Sequence, residues 1–418
     1  MTVESRVPPA GSSGHSPSQP PADRQGRVIG RAWAQGWGWA RRRDVGPVSI
    51  VVALLIIWTI FQSLNNVFLS PENLFSLSRQ ISYGGVVSLG LVLVLLIGEV
   101  DLSVGSVGGL AAAVLAVLVE NHGWNPYLAI AVTVAMGAAL GGLQALIFTR
   151  FKVPSFVVTL GGLLLFYGLQ LRVLGSTGTI RFPFGQTIAQ IGNKTLGPAV
   201  TYPILVIAVV VLAVAQLAGR ARYRREQLPA TGVITVVLRL ALVTVALVAA
   251  VWELNRAGGV PLAFVLLLGL VILGWLMTSR TRYGKNIYAV GGNAEAARRA
   301  GIGVTATRIS VFCVCGATAA FGGIMSGSYV GAASQTLGGD TLLLYAIAAA
   351  VIGGTSLFGG RGSVWAALLG WLVIGSIYNG MFLLNLETDI QFMIIGGVLI
   401  GAVIVDSVTS RARAVHDR

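Results

Sequence analysis

Two carboxylates stand between two of the most apolar stretches of the chain. Residues 98–106 read GEVDLSVGS, and ISYGGVVSLGLVLVLLI precedes them. A carboxylate at the centre of a bilayer costs roughly 2.5–3.5 kcal/mol on insertion scales. We therefore expect these two groups to lie at a membrane interface or to serve a function. Either Asp101 or Ser103 caps the following helix, or the segment is a helix break that lines a transport pathway. The candidate residues of this first break are Glu99, Asp101, Ser103, Gly105 and Ser106.

A second interruption has a similar outline. Residues 341–376 read TLLLYAIAAAVIGGTSLFGGRGSVWAALLGWLVIGS, an apolar run, a Gly- and Ser-rich break and another apolar run. Paired interruptions in the two halves of a chain indicate an internal repeat and the site of a transporter. The residues of this second break are Gly353, Gly354, Thr355, Ser356, Gly359 and Gly360.

A short polar helix is predicted within residues 281–304, TRYGKNIYAVGGNAEAARRAGIGV. Asn293 is a favourable N-cap, Glu295 lies in the first turn, Arg298 in the last, and Gly301 ends the helix. So short a helix is not stable alone in water, so we expect it to dock against another protein surface. The alternative is a solvated connecting turn.

The chain lacks the residues that several other functions would need. There is no GxxxxGK[ST] loop, so we expect the chain to bind neither ATP nor another cofactor, and we expect no catalytic residues. Cys313 and Cys315 are two residues apart and point to different helix faces, which excludes a disulfide and disfavours a metal site. The three histidines, His15, His122 and His416, lie outside the apolar runs. Carboxylates cluster at helix ends, which disfavours a proton- or sodium-driven carrier.

The elements that position these motifs are predicted to be membrane helices. Of the 418 residues, 55% are hydrophobic and 11% are charged, and the mean hydropathy is +0.80. This composition predicts an all-α, polytopic integral membrane protein of about twelve transmembrane helices, with ten to twelve as the range. The apolar runs lie near 47–66, 80–98, 103–119, 126–149, 155–174, 200–217, 231–252, 260–278, 307–330, 341–358, 363–384 and 390–406.

Basic residues predict the orientation of these helices. With the N-terminus inside, the inner segments hold 23 Lys and Arg, whereas the outer loops hold few, among them Arg181, Lys194 and Arg256. Both termini are therefore predicted to be cytoplasmic. Since the +14 charge falls in short clusters beside apolar runs, it indicates topology and a lipid bilayer rather than nucleic acid.

Four regions follow from these patterns. Residues 1–30 are a predicted disordered cytoplasmic tail. Residues 31–46, with Trp33, Trp37 and Arg41–Arg43, are a basic interfacial segment. Residues 47–406 form the transmembrane domain, which includes the cytoplasmic loop at 281–304, and residues 407–418 are a basic cytoplasmic tail. An Arg-rich loop at 219–225 has no assigned role.

Four motifs together resemble the permease subunits of bacterial ribose/xylose-type sugar ATP-binding-cassette (ABC) importers. They are GEVDLSVGS, RFKVPSFVVTLGG, RYGKNIYAVGGNAEAARRAGI and AVIGGTSLFGGRGS, in this order over roughly residues 48–410. Glu99 and the additional apolar run at 231–252 favour the D-xylose branch. The resemblance implies that the loop at 281–304 couples the permease to an ATPase through Gly284, Gly291, Gly292, Asn293, Glu295, Ala297, Arg298 and Gly301.

The resemblance also implies partners and a location. We expect a homodimer in the bacterial inner membrane, a separate cytoplasmic ATPase that uses ATP and Mg²⁺, and an extracytoplasmic sugar-binding protein. The expected cargo is D-xylose. Ribose, another simple sugar or a branched-chain amino acid remains an alternative, and so does an ion-coupled secondary carrier.

Polar side chains inside the apolar runs are candidates for contact with the cargo. The alternative for each is a hydrogen bond between helices. The candidates are Tyr83, Gln144, Thr159, Tyr167, Gln170, Tyr378 and Asn379.

Overall fold

The computed structural model describes residues 46–183, 185–225 and 233–416. The predicted tail at 1–30 lies outside the described residues, as do Trp33, Trp37 and Arg41–Arg43 of the interfacial segment. The last two residues of the predicted tail at 407–418 also lie outside them.

Helices dominate the described residues. The longer ones are α1 Gly46–Leu64, α2 Pro71–Leu96, α3 Val104–Ala116, α4 Pro126–Phe151, α5 Ser155–Leu174, α7 Pro198–Arg225, α8 Val233–Arg256, α9 Leu262–Arg280, α12 Val304–Val330, α13 Asp340–Ile352, α14 Trp365–Leu383 and α15 Thr388–His416. The short ones are α6 Thr187–Asn193, α10 Arg282–Gly292 and α11 Ala294–Arg299, with a π turn at Val117–Asn121 and a 3-10 turn at Gly175–Thr177.

The all-α membrane fold is confirmed. In the part of the chain that the structure describes, nine helices are long and apolar enough to cross a membrane, and the three shorter apolar helices are Ile50–Leu64, Thr341–Ile352 and Thr388–Gly401. These twelve segments correspond to the twelve predicted runs. The orientation of the termini stays a prediction.

Two helices beside the breaks are short. Helices α3 and α13 each have 13 residues, or about 20 Å at 1.5 Å per residue, whereas the hydrocarbon core is about 30 Å thick. Helix α3 gains one further turn through Val117–Asn121. The first break precedes α3 and the second follows α13, so each break joins one long helix to one short helix. The internal repeat itself stays a prediction.

Helix α2 is the centre of the bundle. It begins nine residues before the predicted run because Ser70 caps it, with its Oγ accepting the Asn73 N–H at 3.2 Å, and Pro71 follows in the first turn. Two polar side chains of this first part contact other helices: Asn73 bonds Asn379 on α14, and the Arg79 guanidinium donates to the Gly192 carbonyl oxygen. From Gly84 to Leu96, every residue of α2 is buried.

Glycines bring α12 close to its neighbours. Cβ atoms added at Gly137 or Gly141 on α4 would overlap backbone atoms of α12, and one at Gly108 on α3 would lie 2.9 Å from the Ala319 carbonyl oxygen. Small residues four apart lie on one face of a helix and allow such close packing.

The loops at the end opposite the two breaks form short strand pairs. Strand β1, Thr179–Arg181, pairs antiparallel with β4, Ala332–Ser334, and β2, Thr195–Leu196, pairs with β3, Val260–Pro261. In this way the loops after α5 and α12 are tied together.

Two features differ from the sequence-based boundaries. The predicted Arg-rich loop at 219–225 is wrong, since α7 stays helical through Arg225. Apart from Gly219, residues 219–225 are alanine, tyrosine and arginine, and no proline interrupts them, so the helix continues past the apolar span. Helix α15 likewise extends to His416 and so runs through most of the predicted tail at 407–418.

Candidate translocation and coupling sites

The first break is held by a buried polar cluster. Asp101 is 2% exposed, and its Oδ1 accepts hydrogen bonds from the backbone N–H of Ser103 at 2.8 Å and from its hydroxyl at 2.7 Å. Gln144 on α4 lies 3.0 Å from the Ser103 hydroxyl, and the Cys315 thiol on α12 lies 3.7 Å from Asp101 Oδ2. Burial raises the pKa of the Asp101 carboxyl, and its hydrogen bonds oppose that rise. The cluster therefore ties the break to α4 and α12.

The predicted helix cap at the first break is wrong. Ser103 occupies the N-cap position of α3 with φ −91° and ψ −6°, and its side chain makes no capping hydrogen bond. Asp101 accepts the N–H of Ser103 itself, not that of a residue in the first turn of the helix. The two side chains bond each other, Ser103 also bonds Gln144 on α4 and Asp101 also contacts Cys315 on α12, so neither serves the free N–H groups of α3.

Glu99 forms an ion pair across the bundle. Its Oε1 lies 2.8 Å from Nη2 of Arg308 on α12, and the two side chains are 14% and 28% exposed. Arg308 lies one turn into α12, the helix that directly follows α11 and Gly301. The ion pair therefore links the first break to the helix that follows the segment at 281–304.

The backbone of the first break is also fixed from α5. The Ser155 hydroxyl accepts the Val100 N–H at 3.4 Å, and the Thr159 hydroxyl lies 3.3 Å from the Val100 carbonyl oxygen. Gly105 and Ser106 are buried in α3, where a Cβ added at Gly105 would lie 2.5 Å from the Gly338 carbonyl oxygen. Three other helices, α4, α5 and α12, therefore contact this break.

The short helix of the predicted coupling loop has the geometry expected from its sequence. Asn293 Oδ1 accepts the Ala296 N–H at 2.9 Å, and Gly301, with φ +82°, follows the C-terminal end. Ala297 is buried at 5% exposure, whereas Glu295 and Arg298 form an exposed ion pair of 2.9 Å. Helix α11 thus packs through Ala297 and the partly buried Ala294, and presents its charged side chains to the surroundings.

The loop at 281–304 contacts both breaks through glycines. The Gly360 N–H donates to the Leu96 carbonyl oxygen at 2.9 Å, and a Cβ added at Gly291 would overlap that oxygen. A Cβ at Gly359 would lie 2.8 Å from both the Gly291 carbonyl oxygen and the Gly98 N. The three motifs, distant in sequence, therefore meet in backbone contact; we call this meeting point the glycine junction, formed by Gly98, Gly291, Gly359 and Gly360.

Further contacts hold α10 and the second break together. The Tyr288 hydroxyl donates to the Gly362 carbonyl oxygen at 3.1 Å, and the Thr281 hydroxyl accepts the Gly284 N–H at 3.1 Å at the start of α10. A Cβ at Gly284 would overlap the Thr278 backbone, but one at Gly292 would meet nothing within 4 Å. Helix α10 therefore packs closely on one side only.

The second break is a turn shaped by glycine. Gly354, Gly359 and Gly360 have φ between +70° and +93°, a region that other residues rarely adopt. The Ser356 N–H donates to the Arg361 carbonyl oxygen at 3.0 Å and closes the turn. Gly353 packs against the Ala366 backbone of α14, so that added side-chain atoms would overlap it. Thr355 lies at the start of the turn and is 1% exposed.

A cavity of about 610 Å³ lies toward the other end of the bundle from the glycine junction, between α2, α12, α13, α14 and α15. Among the lining side chains that the structure describes, none is charged. The aromatic ones are Tyr83, Tyr345, Trp371, Tyr378, Phe382 and Phe392, and the polar ones are Gln80, Ser326, Thr336, Thr341, Asn385, Thr388 and Gln391. Aromatic rings can pack against the apolar surface of a small neutral ligand, and the polar side chains can bond its hydroxyl groups.

Two of the seven predicted pathway residues line this cavity. Tyr83 and Tyr378 flank it, and the Tyr345 ring lies 6.0 Å from that of Tyr378. Tyr167 is 39% exposed on α5 and is not among the lining residues. Asn379 lies one residue beyond Tyr378 but is buried in a reciprocal pair with Asn73 at 2.8 and 3.0 Å.

The other three candidates hold loops and breaks in place. Gln144 and Thr159 belong to the first break, as described above. Gln170 is buried and donates to the carbonyl oxygens of Ser334 at 2.8 Å and Leu337 at 3.0 Å, in the loop between α12 and α13. For these residues and Asn379 the structure shows the hydrogen bonds between helices and loops that the sequence left as the alternative.

Sequence reasoning missed most of the cavity lining. Gln80 and Gln391 lie near the ends of their apolar runs, and Asn385 lies in the turn between α14 and α15. The only available signal was the density of aromatic and amide side chains at 378–392, which a search confined to span interiors overlooks. Over the described residues, no group of three or more His, Cys, Asp or Glu could hold a metal ion.

Known proteins resemble this chain over most of its length. Residues 73–403 match the family described as branched-chain amino acid transport system / permease component. The xylose transport system permease protein of Escherichia coli (strain K12) is 37% identical over 364 residues, which are 87% of this chain and 91% of that protein. Its counterpart from Haemophilus influenzae is 34% identical over 359 residues, 86% of this chain and 95% of that protein.

Another relative is named for a different sugar. The ribose import permease protein of Bacillus subtilis (strain 168) is 32% identical over 364 residues, 87% of this chain and 92% of that protein. No solved structure matches the chain. Matched over 73–403 and built from membrane-spanning helices, the chain belongs to the family of transport-system permease components.

Proposed function

We propose that this chain is the membrane permease of an ABC importer that moves D-xylose into a bacterial cell. The observation that carries the proposal is the aromatic and uncharged polar cavity of about 610 Å³. Pockets of roughly 300–1,000 Å³ accommodate small ligands. The xylose permeases among the relatives support the choice of sugar.

The cavity lining favours a sugar over a branched-chain amino acid. An amino acid carries a carboxylate and an ammonium group, and burying either without a partner is costly. The described side chains around the cavity offer amides, hydroxyls and aromatic rings, which satisfy a neutral polyol. The family description alone would have favoured the amino acid.

ATP hydrolysis is assigned to a separate subunit that docks on α11. The sequence carries no phosphate-binding loop. Helix α11 presents the Glu295–Arg298 pair outward, and the glycine junction joins the loop at 281–304 to both helix breaks. Rigid contacts of this kind transmit closure of a docked motor to the membrane helices as a rigid-body movement. Two copies of the permease and an extracytoplasmic sugar-binding protein would complete the importer in the inner membrane.

Reconstitution tests the proposal. Proteoliposomes that contain the permease, its ATPase and the binding protein should accumulate labelled D-xylose only with ATP, and excess leucine should not compete. Replacing both Glu295 and Arg298 with alanine should leave the permease folded but lower uptake per ATP hydrolysed. Uptake by the permease alone under an ion gradient would refute the proposal in favour of a secondary carrier, and competition by leucine or ribose would reassign the cargo.

A further inference from the structure

Phe358, at the tip of the second break, is the most exposed large hydrophobic residue among those that the structure describes, at 78%. The comparably exposed residues Ile234 and Leu242 lie on α8, an apolar helix that is almost entirely unburied, as expected for a helix that faces lipid. Phe358 lies instead in a turn between two helices. A lipid-facing helix therefore does not explain its exposure.

The turn holds Phe358 outward. Leu357, its neighbour, packs against the main core, while the Phe358 N–H donates to the Ser356 hydroxyl at 3.2 Å. The Ser356 N–H in turn donates to the Arg361 carbonyl oxygen at 3.0 Å. An aromatic side chain held out by a closed turn loses little conformational entropy when a partner covers it.

The position of the turn indicates which partner covers it. A Cβ at Gly98, where the central helix α2 ends, would lie 3.6 Å from the Phe358 carbonyl oxygen, and Gly359 packs against Gly291 of α10. The turn therefore lies at the end of the buried helix α2 and continues the surface of the loop at 281–304. A residue anchored in lipid would lie at the periphery of the bundle instead.

We propose that the ATPase subunit docks on a surface formed by α11 and the turn at 356–361, with Phe358 inserted into an apolar pocket of the ATPase. Exposed Arg361 and Arg298 flank this surface, so the pocket should have an acidic rim. This inference rests on the proposed function and extends the docking surface beyond α11. Contact at both places makes the ATPase grip the second break directly as well as through α10.

Site-specific photocrosslinking in the assembled importer tests the inference. A benzoylphenylalanine placed at position 358 should crosslink to the ATPase subunit. Phe151 is the matched control, since it is 71% exposed at the end of α4, which the charge distribution places on the same side. A probe at 151 should crosslink to lipid only. A probe at 298 on α11 tests the docking of the ATPase independently.

The affinity of the ATPase for purified permease supplies the second readout. Phe358→Ser should weaken it about tenfold, as loss of an aromatic anchor does, and Phe151→Ser should leave it unchanged. If the probe at 298 reaches the ATPase but that at 358 reaches only lipid, or if Phe358→Ser binds normally, the inference is refuted while the proposed function stands. Failure of both probes to reach the ATPase would refute both.

Discussion

Alanine at position 291 should damage the permease, although alanine at position 292 should not. A Cβ at Gly291 would overlap the Leu96 carbonyl oxygen and lie 2.6 Å from the Gly360 N, the two atoms of the 2.9 Å hydrogen bond in the glycine junction. Overpacking costs about 1–3 kcal/mol and the lost hydrogen bond about 0.5–1.5, against a gain of up to about 1 for alanine over glycine in a helix. We therefore expect a net loss of about 0.5–4.5 kcal/mol.

Gly292 makes this prediction sharp because the same substitution meets nothing within 4 Å at that position. Purified Gly291→Ala should have a lower Tm than the wild type and should transport less sugar per ATP hydrolysed. Gly292→Ala should match the wild type in both measurements. The glycine junction would lose its assigned role if the two variants had the same Tm and the same coupling ratio.

Three further substitutions test other contacts. Glu99→Ala should destabilise the permease by about 1–3 kcal/mol, because it leaves the partly buried Arg308 unpaired. The double variant Glu99→Arg with Arg308→Glu should show more uptake than either of its single variants, and no such restoration would contradict a direct pair. Asn379→Leu should lower the free energy of unfolding by about 1–3 kcal/mol, because it leaves the buried amide of Asn73 without its partner, and Tm is the readout. Adding Asn73→Leu should recover part of this loss, and a double variant whose effects simply add would argue against coupling of the two residues. Asp101→Asn should retain expression and uptake, because an amide oxygen can accept both hydrogen bonds from Ser103. Asp101→Ala should lose expression and uptake, because it removes the acceptor. Equal loss in the two variants would contradict this reasoning and show that the charge itself is required.

The helices could be predicted from the sequence because apolar length decides them in a membrane. The start of α2 could not, since its first turns carry Asn73 and Arg79, whose partners lie more than a hundred residues away. Composition showed that these residues are polar but not that α14 and α6 would satisfy them. The same limit explains the error at the first break, where Asp101 bonds Ser103 rather than the helix end.

The glycine junction was visible in the sequence only as three separate motifs. Gly98, Gly291 and Gly359 each lie in one of these motifs, but spacing along a chain carries no information about which motifs touch. Backbone contacts between glycines leave no pattern of side-chain types. The cavity was harder still, because it is assembled from five helices and its wall includes the turn between α14 and α15.

For the proposed ATPase to bind the loop at 281–304, this loop must face the cytoplasm. Ala296 is exposed on α11, so Ala296→Cys provides a single reactive position there, with the wild type as control for Cys313 and Cys315. A membrane-impermeant thiol reagent should label this variant in inside-out vesicles but not in intact cells, and bound ATPase should protect it. Labelling from outside intact cells would contradict the account.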